Sequence, residues 1–263
     1  MWLNVMVNLD DAAQRLGVHY QTAYRWVRTG TLGAVKRGCV YDISEAEVER
    51  VLADRSVPQP PPRVGHVRTW AVPCGRLYDA LLAGDEHGAR VIVDRLCELR
   101  VEAVELIEEL IAPVMRRVGE EWASERICVA TEHRAAAICE RLLARISMHP
   151  RGRPRGVAVV ATAPGEQHSL PAGMAAVALR ADRWHVHHLG TEVPVADLAA
   201  LAAGVRADLV VFSLTYTLAK AEAEEAAERV GARGFRVLLG EPGRSLHSLL
   251  ASAKERVPRP GLA

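Results

Sequence analysis

The sequence predicts an α+β multidomain chain: a winged helix-turn-helix module, a four-helix bundle, then a Rossmann-like α/β domain. Three observations carry this. Pro58, Pro60, Pro61 and Pro62 interrupt the chain early. Between them and Ser147 the apolar residues recur at three and four spacing, the period of helices packed on one side. Beyond Gly156, short apolar runs alternate with helical ones, the rhythm of a doubly wound parallel sheet. The expected segments are 1–53, a proline-rich linker at 54–66, the bundle at 67–149 and the α/β domain at 155–263.

Length and composition fit this division. A chain of 263 residues, 49% hydrophobic and 25% charged, can bury more than one core. No stretch approaches the roughly 18 to 20 uninterrupted apolar residues of a membrane span, and the first eleven residues lack the form of a signal peptide. The expected location is the cytoplasm, with no membrane partner. The five cysteines, Cys39, Cys74, Cys97, Cys128 and Cys139, form no CxxC pair, so they read as reduced filler.

In the first segment, the stretch from Asn8 to Arg28 suits a short helix, a turn at Gly17 and a second helix beginning near Tyr20. Ala12, Ala13, Leu16, Val18, Ala23 and Val27 can pack the two together. That leaves Gln21, Thr22, Arg25 and Arg28 on the outer side, where they suit the edges and phosphates of a DNA major groove. The net charge of +1 conceals a local bias: residues 15–37 hold five Lys and Arg and no acid. Two strand-like pieces around Gly38 predict a wing that carries Lys36 and Arg37 to backbone phosphates. Ser44, with Glu47 three residues on, predicts a capping box at the next helix. This stretch resembles the winged N-terminal domains of the MerR and excisionase families, which implies binding to a double-stranded DNA operator.

The bundle is expected from Leu77, Leu81 and Leu82, then Val93 and Leu96, then Val104 to Ile111, then Ile138 to Leu143. Apolar runs at 157–161, 186–189, 209–213 and 237–240 read as buried parallel strands. After the first strand comes a loop holding Glu166 and His168, at the carboxyl end where ligands bind in this fold class. A carboxylate two residues from an imidazole can take the proton of one ring nitrogen while the other ligates a metal. His185, His187 and His188 read instead as a strand alternating between core and surface.

The α/β segment resembles the cobalamin-binding domain shared by methionine synthase, corrinoid carrier proteins and the CarH/LitR photoreceptor repressors. Its signature there is an acidic residue, x, His, x, x, Gly, a later Ser-x-Leu, then Gly-Gly. The matching residues are Glu166, His168, Ser213 and Gly240. The resemblance implies base-off binding, with His168 as the lower cobalt ligand and the displaced tail in a slot lined by Ser213 and Gly240. Pro171, Thr215 and Glu241 depart from the pattern, each in the direction of weaker tail binding, and no last strand is recognisable after Gly240. The bundle resembles the cap over the upper cobalamin face of the same families. There Trp122 would shelter an adenosyl group, and Glu132, beside His133, would bond it. The spacing from Trp122 to Glu132 requires a helix break near 124–127.

The resemblance implies a repressor whose DNA affinity or assembly, as a dimer or tetramer, depends on adenosylcobalamin, with light breaking the cobalt–carbon bond as the input. Ala123 stands where the best-known photoreceptors of this group carry a second cobalt-ligating His, so a bis-histidine photoproduct through that position is not expected. Two other readings stay open: a corrinoid carrier of a methyltransferase system, and a DNA-binding regulator whose cobalamin pocket has decayed. No catalytic nucleophile or acid–base pair points to an enzyme.

Overall fold

A computed structural model describes residues 6–18, 20–28, 30–37, 40–56, 69–148, 150–215 and 219–255. They divide into two compact units, Met1–Val64 and Gly65–Ala263. The prolines of the expected linker lie outside the described residues.

The first unit runs β1 (Met6–Asn8), α1 (Leu9–Arg15), α2 (Tyr20–Arg28), β2 (Val35–Arg37), β3 (Val40–Ser44) and α3 (Glu45–Ser56). Asn8 starts α1 by accepting the Asp11 backbone N–H at 2.8 Å. Gly17, at φ +64, supplies the left-handed turn between the helices. Ala12, Ala13, Leu16 and Ala23 are buried, with Val18 and Val27 packed against them. The wing is an antiparallel hairpin of β2 and β3, which β1 extends on the far side. At three residues, β1 is too short to announce itself by alternation.

The expected capping box forms by half. The Glu47 N–H donates to Ser44 Oγ at 3.3 Å, but the Glu47 carboxylate accepts the Gly33 N–H at 2.6 Å instead of turning back. It also binds Arg50. The Arg50 hydrogen bond foremost, then the Gly33 N–H, hold the Glu47 pKa at about 2. Glu47 thus ties α3 to the loop before β2.

The second unit opens with four helical rods. They are α4 (Ala71–Ala83), α5 (Glu86–Glu98), a compound rod of α6 (Ala103–Leu106) and α7 (Ala112–Ala123) joined by a π turn at Ile107–Ile111, and α8 (Val129–Ile146). The π turn has a local cause. Pro113 has no N–H for the Glu109 carbonyl four residues back, and its ring crowds that carbonyl. The Cys74 thiol donates to the Glu109 oxygen across 3.2 Å. One of the cysteines read as filler therefore has a specific bond.

The α/β part follows as β4 (Val157–Thr162), α9 (Ser169–Ala181), β5 (His185–His188), α10 (Val195–Gly204), β6 (Leu209–Ser213), α11 (Lys220–Gly231), β7 (Val237–Gly240) and α12 (Leu246–Lys254). The four strands are parallel, in the order β5-β4-β6-β7. Among the described residues α12 follows where a fifth strand would stand. Ala158, Val160, Leu209 and Val211 face α9 and α12; their neighbours Val159, Ala161, Val210 and Phe212 face α10 and α11. Burial on both faces explains why these strands read as continuous apolar runs. Leu170, Met174 and Val177 of α9 join the core of the bundle, so α9 is packed between sheet and bundle. No helix among the described residues is long and apolar enough to cross a membrane.

Candidate functional site

The loop from β4 to α9 carries the pair singled out in the sequence. Gly165, at φ +77, turns the chain and Glu166 goes inward to 1% exposure. Its Oε1 accepts the His168 backbone N–H at 2.9 Å and meets His168 Nδ1 at 2.5 Å. Its Oε2 accepts both the backbone N–H and the hydroxyl of Thr215, each at 2.7 Å. Burial opposes the charge on Glu166, but the Thr215 hydroxyl and the N–H groups of His168 and Thr215 outweigh it, and the pKa falls to about 2. An ionised carboxylate can only accept, so Nδ1 is the nitrogen that donates to it, and in the neutral imidazole this leaves the lone pair on Nε2. The imidazole is exposed on its other side, so this arrangement could ligate a metal through Nε2.

Of the three departures, none disrupts this arrangement. Thr215, expected to weaken binding of the tail, is also the second anchor of Glu166. Pro171 stands in the first turn of α9, where a missing N–H forfeits no helical bond. The Glu241 carboxylate pairs with Lys220 at 3.0 Å. Ser213 and Gly240 are register partners at the carboxyl ends of β6 and β7, with Ser213 buried.

Trp122 lies near the end of α7, 45% exposed for a side chain that usually prefers burial. The break expected after it is present: α8 begins only at Val129, and Glu125 has φ +58. Glu132, in the first turn of α8, faces His133 Nδ1 at 2.7 Å. Further along α8, Glu140 accepts the Ser169 hydroxyl at 2.5 Å, joining the bundle to the residue after His168. A brace beside Trp122 escaped the sequence reading: the Tyr78 hydroxyl donates to Glu121 while Arg117 lies 3.6 Å over the Tyr78 ring. Burial first, then Glu121, raises the Tyr78 pKa.

In the first unit, Lys36 and Arg37 are exposed on the wing. Lys36 Nζ is 6.0 Å from the centre of the Tyr41 ring, and Arg37 pairs with Asp42 at 3.2 Å. Thr22 is half-buried on α2. Gln21, Arg25 and Arg28 belong to α2, but their side chains lie outside the described residues. Exposed Tyr20 and Tyr24 stack on the same helix, and Tyr24 meets Tyr41 edge-on. Their four-residue spacing was the available signal.

Comparison with known proteins agrees with this layout. Residues 6–56 match the helix-turn-helix domain family, while residues 74–147 and 156–252 match two B12 binding domain families. The chain joins a helix-turn-helix domain to B12 binding domains. It is 30% identical to the HTH-type transcriptional repressor CarH of Myxococcus xanthus over 161 residues, 61% of this chain. The chain spans about half the length of that relative, 51%. Among solved structures it is similar in fold to the monomethylamine corrinoid protein of Methanosarcina barkeri. That likeness has a TM-score of 0.54 at 17% identity and covers 67% of this chain and 87% of the other.

Proposed function

We propose that the chain is a CarH-like cobalamin-binding transcription regulator, acting as a repressor without catalysis of its own. The observation that carries the reading is His168, held by buried Glu166 with Nε2 outward at the carboxyl end of a central strand. Among the described residues no group of three or more His, Cys, Asp or Glu could hold a bare ion. A single imidazole suits instead a metal whose equatorial positions are already filled by a macrocycle. The residues present fit such a group.

In this reading His168, oriented by Glu166 and Thr215, would hold the cobalt of a base-off corrinoid. Ser213 and Gly240 border the slot for the tail. Trp122 gives an apolar wall on the upper side, and Glu132, with His133 beside it, offers an acceptor for ribose hydroxyls. Bound adenosylcobalamin would supply a cobalt–carbon bond that light can break. Ala123 provides no second imidazole. In the same reading Lys36 and Arg37 of the wing would meet phosphates, and Gln21, Thr22, Arg25 and Arg28 would face base edges and phosphates of the major groove.

Cofactor binding shifts how the protomers of a dimer or tetramer present these modules, and paired modules bind DNA far better than single ones. A cytoplasmic regulator of this kind needs the helix-turn-helix at 6–56, for which a methyltransferase carrier has no use. Gel-shift assays on operator DNA, with adenosylcobalamin in the dark and after illumination, test the reading. Dark binding and release by light are expected; DNA affinity indifferent to both cofactor and light contradicts it.

A further inference from the structure

Thr162 is the last residue of β4, and the residue is 3% exposed. Its hydroxyl is buried and finds no hydrogen-bond partner among the described residues. A buried, unmet hydroxyl is destabilising, so its retention asks for a role.

Its position suggests one. Along β4, alternate residues Ala158 and Val160 face α9 and α12; along β6, Leu209 and Val211 do. Two residues further on, Thr162 and Ser213 continue those rows, and in register they are direct partners. Gly240, partnered with Ser213, completes the row on β7. Thr162 is fixed there by its own N–H, which donates to the Gly190 carbonyl at 3.0 Å. Two buried hydroxyls and a glycine thus lie side by side across the carboxyl ends of the three adjoining strands.

We infer that Thr162 is a further cofactor-binding residue, its hydroxyl donating to an acceptor atom of the nucleotide tail of a base-off corrinoid. The inference rests on the cobalamin reading above and extends its slot by one strand. The bound tail supplies the partner that the protein withholds, so the hydroxyl weakens the empty protein and strengthens the loaded one.

The test compares wild type, Thr162→Val and Thr162→Ser, each titrated by absorbance with cobalamin and with cobinamide, which lacks the nucleotide tail. Valine has the same shape without the hydroxyl. It should weaken cobalamin binding about tenfold and leave cobinamide binding unchanged, with Ser restoring the tail-bearing ligand. The empty Val variant should melt at the wild-type temperature or above. Equal effects on both corrinoids, undiminished cobalamin affinity in the Val variant, or a lower melting temperature of the empty Val protein would overturn the assignment. A wild-type chain that takes up neither corrinoid removes the cofactor reading itself, and the role of Thr162 with it.

Discussion

Glu166 holds His168 at two points through one oxygen: Oε1 accepts the backbone N–H at 2.9 Å and faces Nδ1 at 2.5 Å. The second contact fixes the ring to the same oxygen that fixes the main chain, so imidazole and loop move together. With Oε2 occupied by Thr215, the carboxylate has donors on both sides.

That environment sets a pH dependence. Glu166 has a folded pKa of about 2 against an ordinary 4.5, so its ionised form favours folding. The contribution is complete above about 4.5 and disappears as pH falls through about 2. In urea unfolding, Glu166→Gln should therefore be less stable than wild type above that window, with the gap closing through it. A gap constant across the whole range would contradict the linkage.

Thr215→Val removes one of the two Thr215 donors and leaves the backbone N–H. The expected cost is about 1 kcal/mol of stability, together with weaker corrinoid uptake as Glu166 loosens its hold on His168. Denaturation midpoints and absorbance titration measure the two effects. Wild-type behaviour in both would show that the hydroxyl is incidental.

In the bundle, Cys74 and Pro113 meet through the Glu109 carbonyl. Cys74→Ala alone should cost about 1 kcal/mol. In a Pro113→Ala background residue 113 regains an N–H that can serve Glu109, and the cost of the second change should shrink. A double-mutant cycle reads the coupling, and strict additivity would refute it.

At the wing, Lys36→Ala and Arg37→Ala should weaken binding to operator and unrelated DNA alike. Each should lower the slope of log affinity against log salt by about 0.9. Loss confined to one sequence, with the slope preserved, would show that these cations do not touch phosphate.

Periodicity made the rods and strands legible because burial on one or both faces leaves an apolar record, as in Leu77 and Leu81 or Val159 and Val160. The Glu166 and His168 pair was legible because its two members are two residues apart in one loop. What escaped depended on distant chain segments. Thr215 reaches Glu166 from 49 positions away, and Cys74 reaches Glu109 from 35. The π turn followed from Pro113 only once its carbonyl partner was known. The orphan state of Thr162 is a property of three aligned strands, which no local pattern records.

In the proposed regulator a protein nitrogen, that of His168, binds cobalt. Electron paramagnetic resonance of bound cob(II)alamin tests it, using protein whose histidines carry the spin-one-half isotope of nitrogen. Axial superhyperfine lines should collapse from triplets to doublets, and Glu166→Gln should weaken cofactor affinity by about 10- to 100-fold. Triplets that persist would mean that the cofactor keeps its own benzimidazole on cobalt, contradicting the role assigned to His168.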